Sequence, residues 1–587
     1  MSEVLFVSPT SERKLTHECE GTLLLATILK EKGIDADIYR FYEADSKSGF
    51  EAFVNDTAKN ILSRNPKIVS FYCRCDCFLT DIRIAERIKA ANSEITIVFG
   101  GPQADAVSAE LLSVIKSVDY CCSGEGEETI YPLFSGILNG TDVTATEGLT
   151  YRNEQGKTVT NKRPQLRKCL DDISFTDYSF IDDETIRYAV ANNLQFPLEV
   201  GRGCPYNCAY CSTSLFWQRK FRIKSPRRII EEIIRVKEKY GITRFSFQHD
   251  LFTANKKSVL EFCRQLKENS LDIKWVCSSR TDTIDAEMIE AMVSAGLTGI
   301  YFGIETGSPR MQDIIHKKLD IQHVVDVCRL LVDKNVSVTA SFIYGFPEET
   351  EEDLEQTLQL ISELKAMGVR YFQLHLCAMF PGTEYYDKYK NELVFADVYS
   401  DQVSDFGVRE NYDYICEHKN LFPFYYEYHN EFRNRFAHLR EYGLACISVF
   451  NDLKAFDREK FSHKTLTEFY LEITEASKAD IESAQRGERP LLSMIELANN
   501  YLPTAGFDET QLAKLKEYYR FVEDSNSVHK TEGDVTEIKN YAVDISAFRS
   551  KKSLSEIEMK PTMVIFRKVG KKVTMVVRSF GIIRNKD

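Results

Sequence analysis

The sequence has no run of about 18 apolar residues, so no segment reads as crossing a bilayer. Its start, MSEVLFVSPT, lacks a basic stretch followed by an apolar one and does not read as a secretory signal. Basic residues are not in surplus. There are 75 Lys+Arg against 88 Asp+Glu, a formal net charge of -13, so bulk charge gives no support for a nucleic-acid partner. No internal repeat or low-complexity tract stands out. With 43% hydrophobic and 28% charged residues, disordered, collagen-like and coiled-coil chains are excluded. The expected location is the cytoplasm. What is present is length: 587 residues, at roughly 150 per domain, imply more than one domain. Sixteen cysteines are also present. In a reducing compartment they are thiols, metal ligands or catalytic groups rather than staples.

Residues 1–140 alternate apolar runs with helical patterns. Strands are expected at VLFVSP (4–9), ADIYRFY (36–42), IVSFYC (68–73), TIVFGG (96–101) and VDYCCSG (118–124), with helices at Thr22–Lys32 and Asp81–Ala91. This rhythm predicts a doubly wound, flavodoxin-like α/β domain, which binds ligands at the carboxyl ends of its strands. Glycines cluster there: Gly100, Gly101, Gly124 and Gly126. Residues 141–190 read as a connector that begins with a hairpin across Asn153–Gly156. Residues 191–395 resume the rhythm, with strands at 197–203, 245–250, 273–279, 299–305, 338–345 and 371–377. They predict a partial (β/α)6 barrel with chemistry at the strand ends. Residues 396–587 read as a mostly helical domain that closes in a β-hairpin around Val569–Gly570. The aromatic stretch near Phe422–Phe436 is expected to be core, with a peptide or lipid groove as the other use.

GRGCPYNCAYC places Cys204, Cys208 and Cys211 in a C-x3-C-x2-C loop directly after the first barrel strand. Three thiolates cannot close a tetrahedral zinc site, which takes four ligands. They can hold three irons of a [4Fe–4S] cluster and leave the fourth open to a small molecule. Cys73, Cys75 and Cys77 in CRCDC read as a strand-end stack of half-buried thiols, with metal binding as the alternative. The run Arg219, Lys220, Arg222, Lys224, Arg227, Arg228 reads as a solvated loop and first helical turn, or else as a counter-charge for a cluster or an acidic substrate. His249 reads as structural.

The cysteine motif, with Tyr210 before its last cysteine, resembles the radical S-adenosylmethionine superfamily. STSLFWQRKFRIKSPRRIIEEI, FQHDLFT, WVCSSRTD, GIYFGIETGSPR, FIYGFPEETEEDL and FPGTEYYD are similar to the cobalamin-dependent subgroup. IVSFYC, VFGGPQADA and CSGEGEETI resemble its cobalamin-binding domain, and GLTYRNEQGK with LDDIS its connector. The resemblance covers about residues 1–395. It implies that Cys204, Cys208 and Cys211 hold the cluster. S-adenosylmethionine would chelate the open iron and be cleaved to a 5′-deoxyadenosyl radical. Tyr210, Gln248, Asp250, Arg280, Glu305, Gly345, Phe346 and Pro347 would hold that cofactor. The alternatives are an Arg280–Glu305 salt bridge and, for Asp250, a cap on the helix near Lys256. Cobalamin would lie on Tyr72, Cys73, Arg74, Gly100, Gly101, Pro102, Gln103, Gly124, Glu125 and Glu127. No Asp-x-His-x-x-Gly motif occurs, and His17 is the single histidine of this domain, so a histidine under cobalt is not expected. The lower face is left open, water-bound, or approached by Arg74 or a thiol. The implied activity is methylation of an unactivated carbon of a natural product, peptide or lipid. The alternatives are cyclisation or rearrangement without methyl transfer, and a non-catalytic scaffold. The implied partners are a small-molecule or peptide substrate and an electron donor of flavodoxin or ferredoxin type, with no nucleic acid.

Overall fold

The computed structural model describes residues 2–10, 20–43, 49–476, 501–503, 505–530, 534–550, 553–569 and 572–579, so His17 lies outside the described residues. Two compact units form: Met1–Glu349 with Leu364–Glu431, and Thr350–Glu363 with Phe432–Asp587. No helix among the described residues is long and apolar enough to cross a membrane.

The first unit opens with β1 (Val4–Thr10), α1 (Glu20–Glu31), β2 (Ala36–Tyr42), α2 (Phe50–Ser63), β3 (Ile68–Tyr72), α3 (Phe78–Ala91), β4 (Thr96–Gly100), α4 (Pro102–Val114), β5 (Tyr120–Cys122) and α5 (Ile130–Asn139). The strands are almost continuously apolar, as strands covered on both faces must be, and Val4, Leu5, Val7, Ile68, Val69, Ile97 and Phe99 are fully buried. They pair in parallel in the order β2-β1-β3-β4-β5. The order reverses between β1 and β3, which is where such sheets bind ligands. The hairpin predicted across Asn153–Gly156 forms as β6 (Leu149–Arg152) and β7 (Thr158–Thr160). The Asn153 side chain accepts from the Gln155 and Lys157 backbone N–H groups. It does not stand apart as a connector. β6 pairs antiparallel with β5, so the hairpin completes the sheet and covers an edge that three-residue β5 would leave open.

After α6 (Asp183–Ala191) the second sheet begins with β8 (Phe196–Glu199). A small antiparallel pair, β9 (Gly201–Arg202) and β10 (Arg222–Ile223), brackets α7 (Thr213–Phe216). There follow α8 (Pro226–Tyr240), β11 (Arg244–Gln248), α9 (Lys256–Glu268), β12 (Lys274–Ser279), α10 (Ala286–Ser294), β13 (Leu297–Glu305), α11 (Pro309–Ile314), α12 (Ile321–Asp333), β14 (Ser337–Tyr344), α13 (Glu351–Met367) and β15 (Tyr371–Leu376). Six parallel strands in the order β8-β11-β12-β13-β14-β15 form the partial barrel. Its helices start on side-chain caps: Ser225, Asn255, Asp285 and Asp320 accept from backbone N–H groups of the first turn. Aromatic packing joins sheet to helix, with Phe247 stacked on Trp275 at 5.0 Å and Phe262 edge-on to both.

The aromatic stretch near 422–436 is not one helix. Pro423 opens a tight turn, Tyr426–Tyr428 pairs as a strand with Leu393–Phe395, and helix resumes only at Glu431–Arg435. Pro423 and the β-favouring Tyr-rich run explain the break. Phe422, Phe424 and Tyr425 are buried as core. The second unit holds helices Leu439–Phe456, Leu466–Ala476 and Glu509–Lys530. An antiparallel sheet of Val535–Tyr541, Thr562–Val569 and Lys572–Ser579 completes it. The expected terminal hairpin is its last two strands. Gly570 lies outside the described residues.

Candidate functional site

A cavity of about 1800 Å³ lies within the first unit. That exceeds the roughly 300–1,000 Å³ of a pocket for one small ligand. Its wall is built from strand-end loops of the first sheet, from the three-cysteine loop and from the interior of the barrel.

The cysteine loop is entered through Gly203, whose φ of +81° suits glycine. A Cβ there would stand 2.8 Å from Trp217 Cβ and closer still to the Lys220 carbonyl oxygen. Asp250 accepts the Gly203 N–H at 2.9 Å and so fixes the start of the loop; Asn255, not Asp250, caps α9. Cys204, Cys208 and Cys211 are half-buried on the cavity wall. Tyr210 packs on Phe346, ring centres 5.9 Å apart, and Phe346 on Tyr385 at 5.8 Å. Gly345, Phe346 and Pro347 do not line the cavity. Gly345 donates its N–H to Glu349 Oε2, and Phe346 supports the loop from behind. Sequence reasoning put them at the strand end, but the chain turns away there to start α13.

Burial and the neighbouring thiols push Cys204 up to about 11 and raise Cys211, while Lys317 acts in the opposite sense on both. Lys317 is itself buried, 3.0 Å from Glu305. Arg280 stacks 3.7 Å from the Tyr206 ring centre, binds Asp282, and points Nη1 at Cys208 Sγ from 3.9 Å. Arg280 and Glu305 therefore do not pair with each other. Each has a nearer partner, and two buried cations face the thiols. That donor set suits an anionic iron–sulfur cluster. Among the described residues no group of three His, Cys, Asp or Glu is placed to hold a metal ion. One ion needs all its ligands about 2.0–2.3 Å from a point, whereas a cluster spreads three thiolates over three irons.

Opposite, Tyr72, Arg74, Gly100–Gln103, Gly124, Glu125 and Glu127 line the wall. At Gly100 nothing stands within 4 Å of where a Cβ would be, so the backbone is bare to the cavity, as a bulky cofactor requires. Arg74 is held by Asp76, and Gln103 Nε2 donates to the Leu421 carbonyl. Cys73 and Cys77 are buried off the wall, their thiols pushed up by desolvation; Cys75 reaches the cavity. Glu125 and Glu127 face protein cations. Arg202 lies 2.6 Å from each and also binds Glu199, and Arg222 lies 2.8 Å from Glu125. Of the basic run, Arg222, Lys224 and Arg228 are thus buried or nearly so and paired, the last two with Glu232; Arg227 is solvated. His249 is buried and held neutral, its pKa pushed down to about 4 by desolvation.

Two buried acids complete the picture. Glu20, at the start of α1 on the cavity wall, is pushed up to about 8 by burial and then by Glu199. Glu43, bonded to Thr80 and Ser404, is pushed up to about 7 by burial. A raised acid keeps a proton that the unfolded chain has lost. Its stabilisation is complete below the unfolded pKa and disappears as pH rises through the folded one. The unfolding free energy should therefore fall from pH 6 to 8, by about 1.4 kcal/mol per pH unit for each group still protonated, and the thermal midpoint should fall with it. E20Q should flatten that slope, and E43Q should flatten its lower part. His249 acts in the opposite direction and only below about pH 6.5. An unchanged slope in E20Q would show that Glu20 is ionised.

The sequence matches the radical SAM superfamily over residues 198–361 and the B12 binding domain over residues 11–133. An uncharacterized methyltransferase of Pyrococcus horikoshii is 31% identical over 335 residues, which cover 57% of this chain and 71% of the relative. An anaerobic magnesium-protoporphyrin IX monomethyl ester cyclase of Rubrivivax gelatinosus is 27% identical, over 53% of this chain and 57% of its own length. Two solved structures share the fold. OxsB with aqua-cobalamin and S-adenosylmethionine bound has a TM-score of 0.57 at 14% identity, covering 91% of this chain and 82% of that one. TsrM from Kitasatospora setae with cobalamin and a [4Fe-4S] cluster bound has a TM-score of 0.55 at 15% identity, covering 66% and 77%.

Proposed function

The chain belongs to the radical S-adenosylmethionine enzymes that carry a cobalamin-binding domain, and from that premise we propose that it transfers a methyl group to an unactivated carbon of its substrate. The observation that carries the reading is the shared cavity: the three-thiol loop and the glycine-rich strand ends, bare at Gly100, open into one space. When bound, the cluster supplies the electron that cleaves S-adenosylmethionine, and cobalamin supplies the methyl carrier.

The residues divide the remaining work. Cys204, Cys208 and Cys211 would ligate three irons, with Arg280 and Lys317 offsetting the thiolate charge. Tyr210, Gln248 and Glu305 line the wall where S-adenosylmethionine would lie. Tyr72, Arg74, Gly100–Gln103 and Gly124 would receive cobalamin. Asp250 and Phe346 hold the loop and are positioning residues. Glu125 and Glu127 are assigned to Arg202 and Arg222 rather than to a cofactor.

The test is anaerobic turnover with methyl-labelled S-adenosylmethionine, cobalamin, a flavodoxin or ferredoxin as reductant, and candidate substrates. Methyl transfer gives S-adenosylhomocysteine and 5′-deoxyadenosine together, with label in the product. The cyclase relative favours a second reading, in which the radical closes or rearranges a ring. Product with 5′-deoxyadenosine but without S-adenosylhomocysteine would establish that reading and remove methyl transfer.

A further inference from the structure

The barrel interior is polar. In a closed (β/α)8 barrel the inward side chains are mainly Val, Ile and Leu, and they fill the interior. Here the outward positions carry the bulk, with Phe245, Phe247 and Trp275 buried against the helices. The inward positions carry Ser246, Ser278, Tyr301, Ser337 and Thr339, all on the cavity wall. Strand pairing arranges them in tiers. Ser246, Val276, Gly299 and Ser337 are successive neighbours in one, and Ser278, Tyr301 and Thr339 in the next. Val276 alone among these is aliphatic. The cavity therefore does not stop at the strand ends but continues down the lumen to the first residues of β11, β14 and β15.

Arg244, the first residue of β11, lies on that lower wall. Its side chain is half-buried and has no hydrogen bond or ion pair to any described residue. The other inward-facing arginine, Arg280, is neutralised by Asp282. A guanidinium without a counter-charge, at the lower end of a polar channel, is a fork-shaped receptor for a carboxylate or a phosphate. Gln248 marks the mouth of the channel on the same strand, four residues on. At about 3.3 Å per residue, that separates the two ends by about 13 Å.

We propose that the lumen is the substrate channel and that it selects a polar substrate bearing an anionic group, phosphate or carboxylate, held by Arg244. The body of the substrate hydrogen-bonds to the serine, threonine and tyrosine hydroxyls of the wall. Its far end, about 13 Å away, reaches the mouth. This rests on the reading that the reaction takes place there. An uncharged hydrocarbon chain is a poor occupant, because it would leave the wall hydroxyls and Arg244 unpaired.

The test is isothermal titration of the reconstituted full chain with inorganic pyrophosphate and, separately, with succinate. Saturable binding of one probe, weakened at least tenfold in R244Q and partly restored in R244K, supports the site, and the probe that binds names the anion. T339V should weaken the same probe less. Unchanged iron content and thermal midpoint in R244Q show that the loss is not misfolding. Equal binding to R244Q and wild type, or no saturable binding of either probe, overturns the proposal. Iron and cobalt contents report separately on the parent reading. A chain that loads neither, yet binds pyrophosphate through Arg244, keeps the anion site and loses the cofactors.

Discussion

Alanine at Cys204, Cys208 and Cys211 together should abolish iron binding and leave cobalamin binding intact. About four irons per reconstituted chain should fall to near zero, and 5′-deoxyadenosine formation to background. The reason lies in the loop rather than in the motif alone. The thiols are half-buried, and burial favours the protonated form of Cys204 and Cys211 in the free protein. Iron must displace those protons, and three short side chains around one centre cannot be replaced from elsewhere on the wall. Lys317 and Arg280 are cations and do not ligate. The variant should keep its fold, because the loop is fixed by Asp250, by Phe346 behind Tyr210, and by the Ala209 N–H bonded to the Ile315 carbonyl. Iron assay, with visible spectra for cluster and cobalamin, decides it. Iron retained in the triple variant would move the cluster elsewhere, with Cys73, Cys75 and Cys77 the first place to look.

R202A should cost about 3–5 kcal/mol of stability, the largest loss we expect from a single substitution outside the core. Arg202 is 6% exposed and its guanidinium serves Glu199, Glu125 and Glu127 at once. Removing it leaves three carboxylates together, with Arg222 still on Glu125. Both arginines also stand over the face of Trp217, at 5.7 and 5.4 Å. Uncompensated buried carboxylates take up protons on folding, so R202A should recover stability relative to wild type as pH is lowered. R202K should lie between the two, since it restores charge without the fork. Chemical denaturation at two pH values measures this, and a loss below about 1 kcal/mol would show the cluster of charges to be solvated.

These two sites differ in how well the sequence announces them. The cysteine loop is local: the nine residues Gly203–Cys211 carry spacing, glycine and proline together. The strands and their order follow from alternating apolar runs. Arg202 is not legible in the sequence, because its partner Glu125 lies 77 positions away in a strand-end turn that resembles a cofactor contact. Lys317 sits in no motif. The pair Arg280 and Glu305 was legible as important but not as separate, since pairing depends on which opposite charge the fold brings nearest. For Asp250 the rival role as a cap belongs to Asn255, five residues on, and both residue types cap equally well. Gly345–Pro347 were placed at the mouth because strand ends usually are, whereas this strand end bends behind the cysteine loop. The polar lumen is present in plain alternation, as in Phe245-Ser246-Phe247-Gln248. It is masked because the same strands also read as apolar runs.

That alternation separates two kinds of heredity. Substituting an outward residue such as Trp275 or Phe247 with alanine would remove packing worth about 3–5 kcal/mol. Exchanging a wetted inward Ser, Thr or Gln for another small polar residue costs about as much as a surface change, within roughly 0.5 kcal/mol. Drift in substrate preference is thus nearly free of folding cost in this barrel. Close relatives can be expected to diverge first at the inward positions of β11 to β15 while keeping the outward ones, and a library confined to those inward positions should stay folded while its chemistry is retargeted.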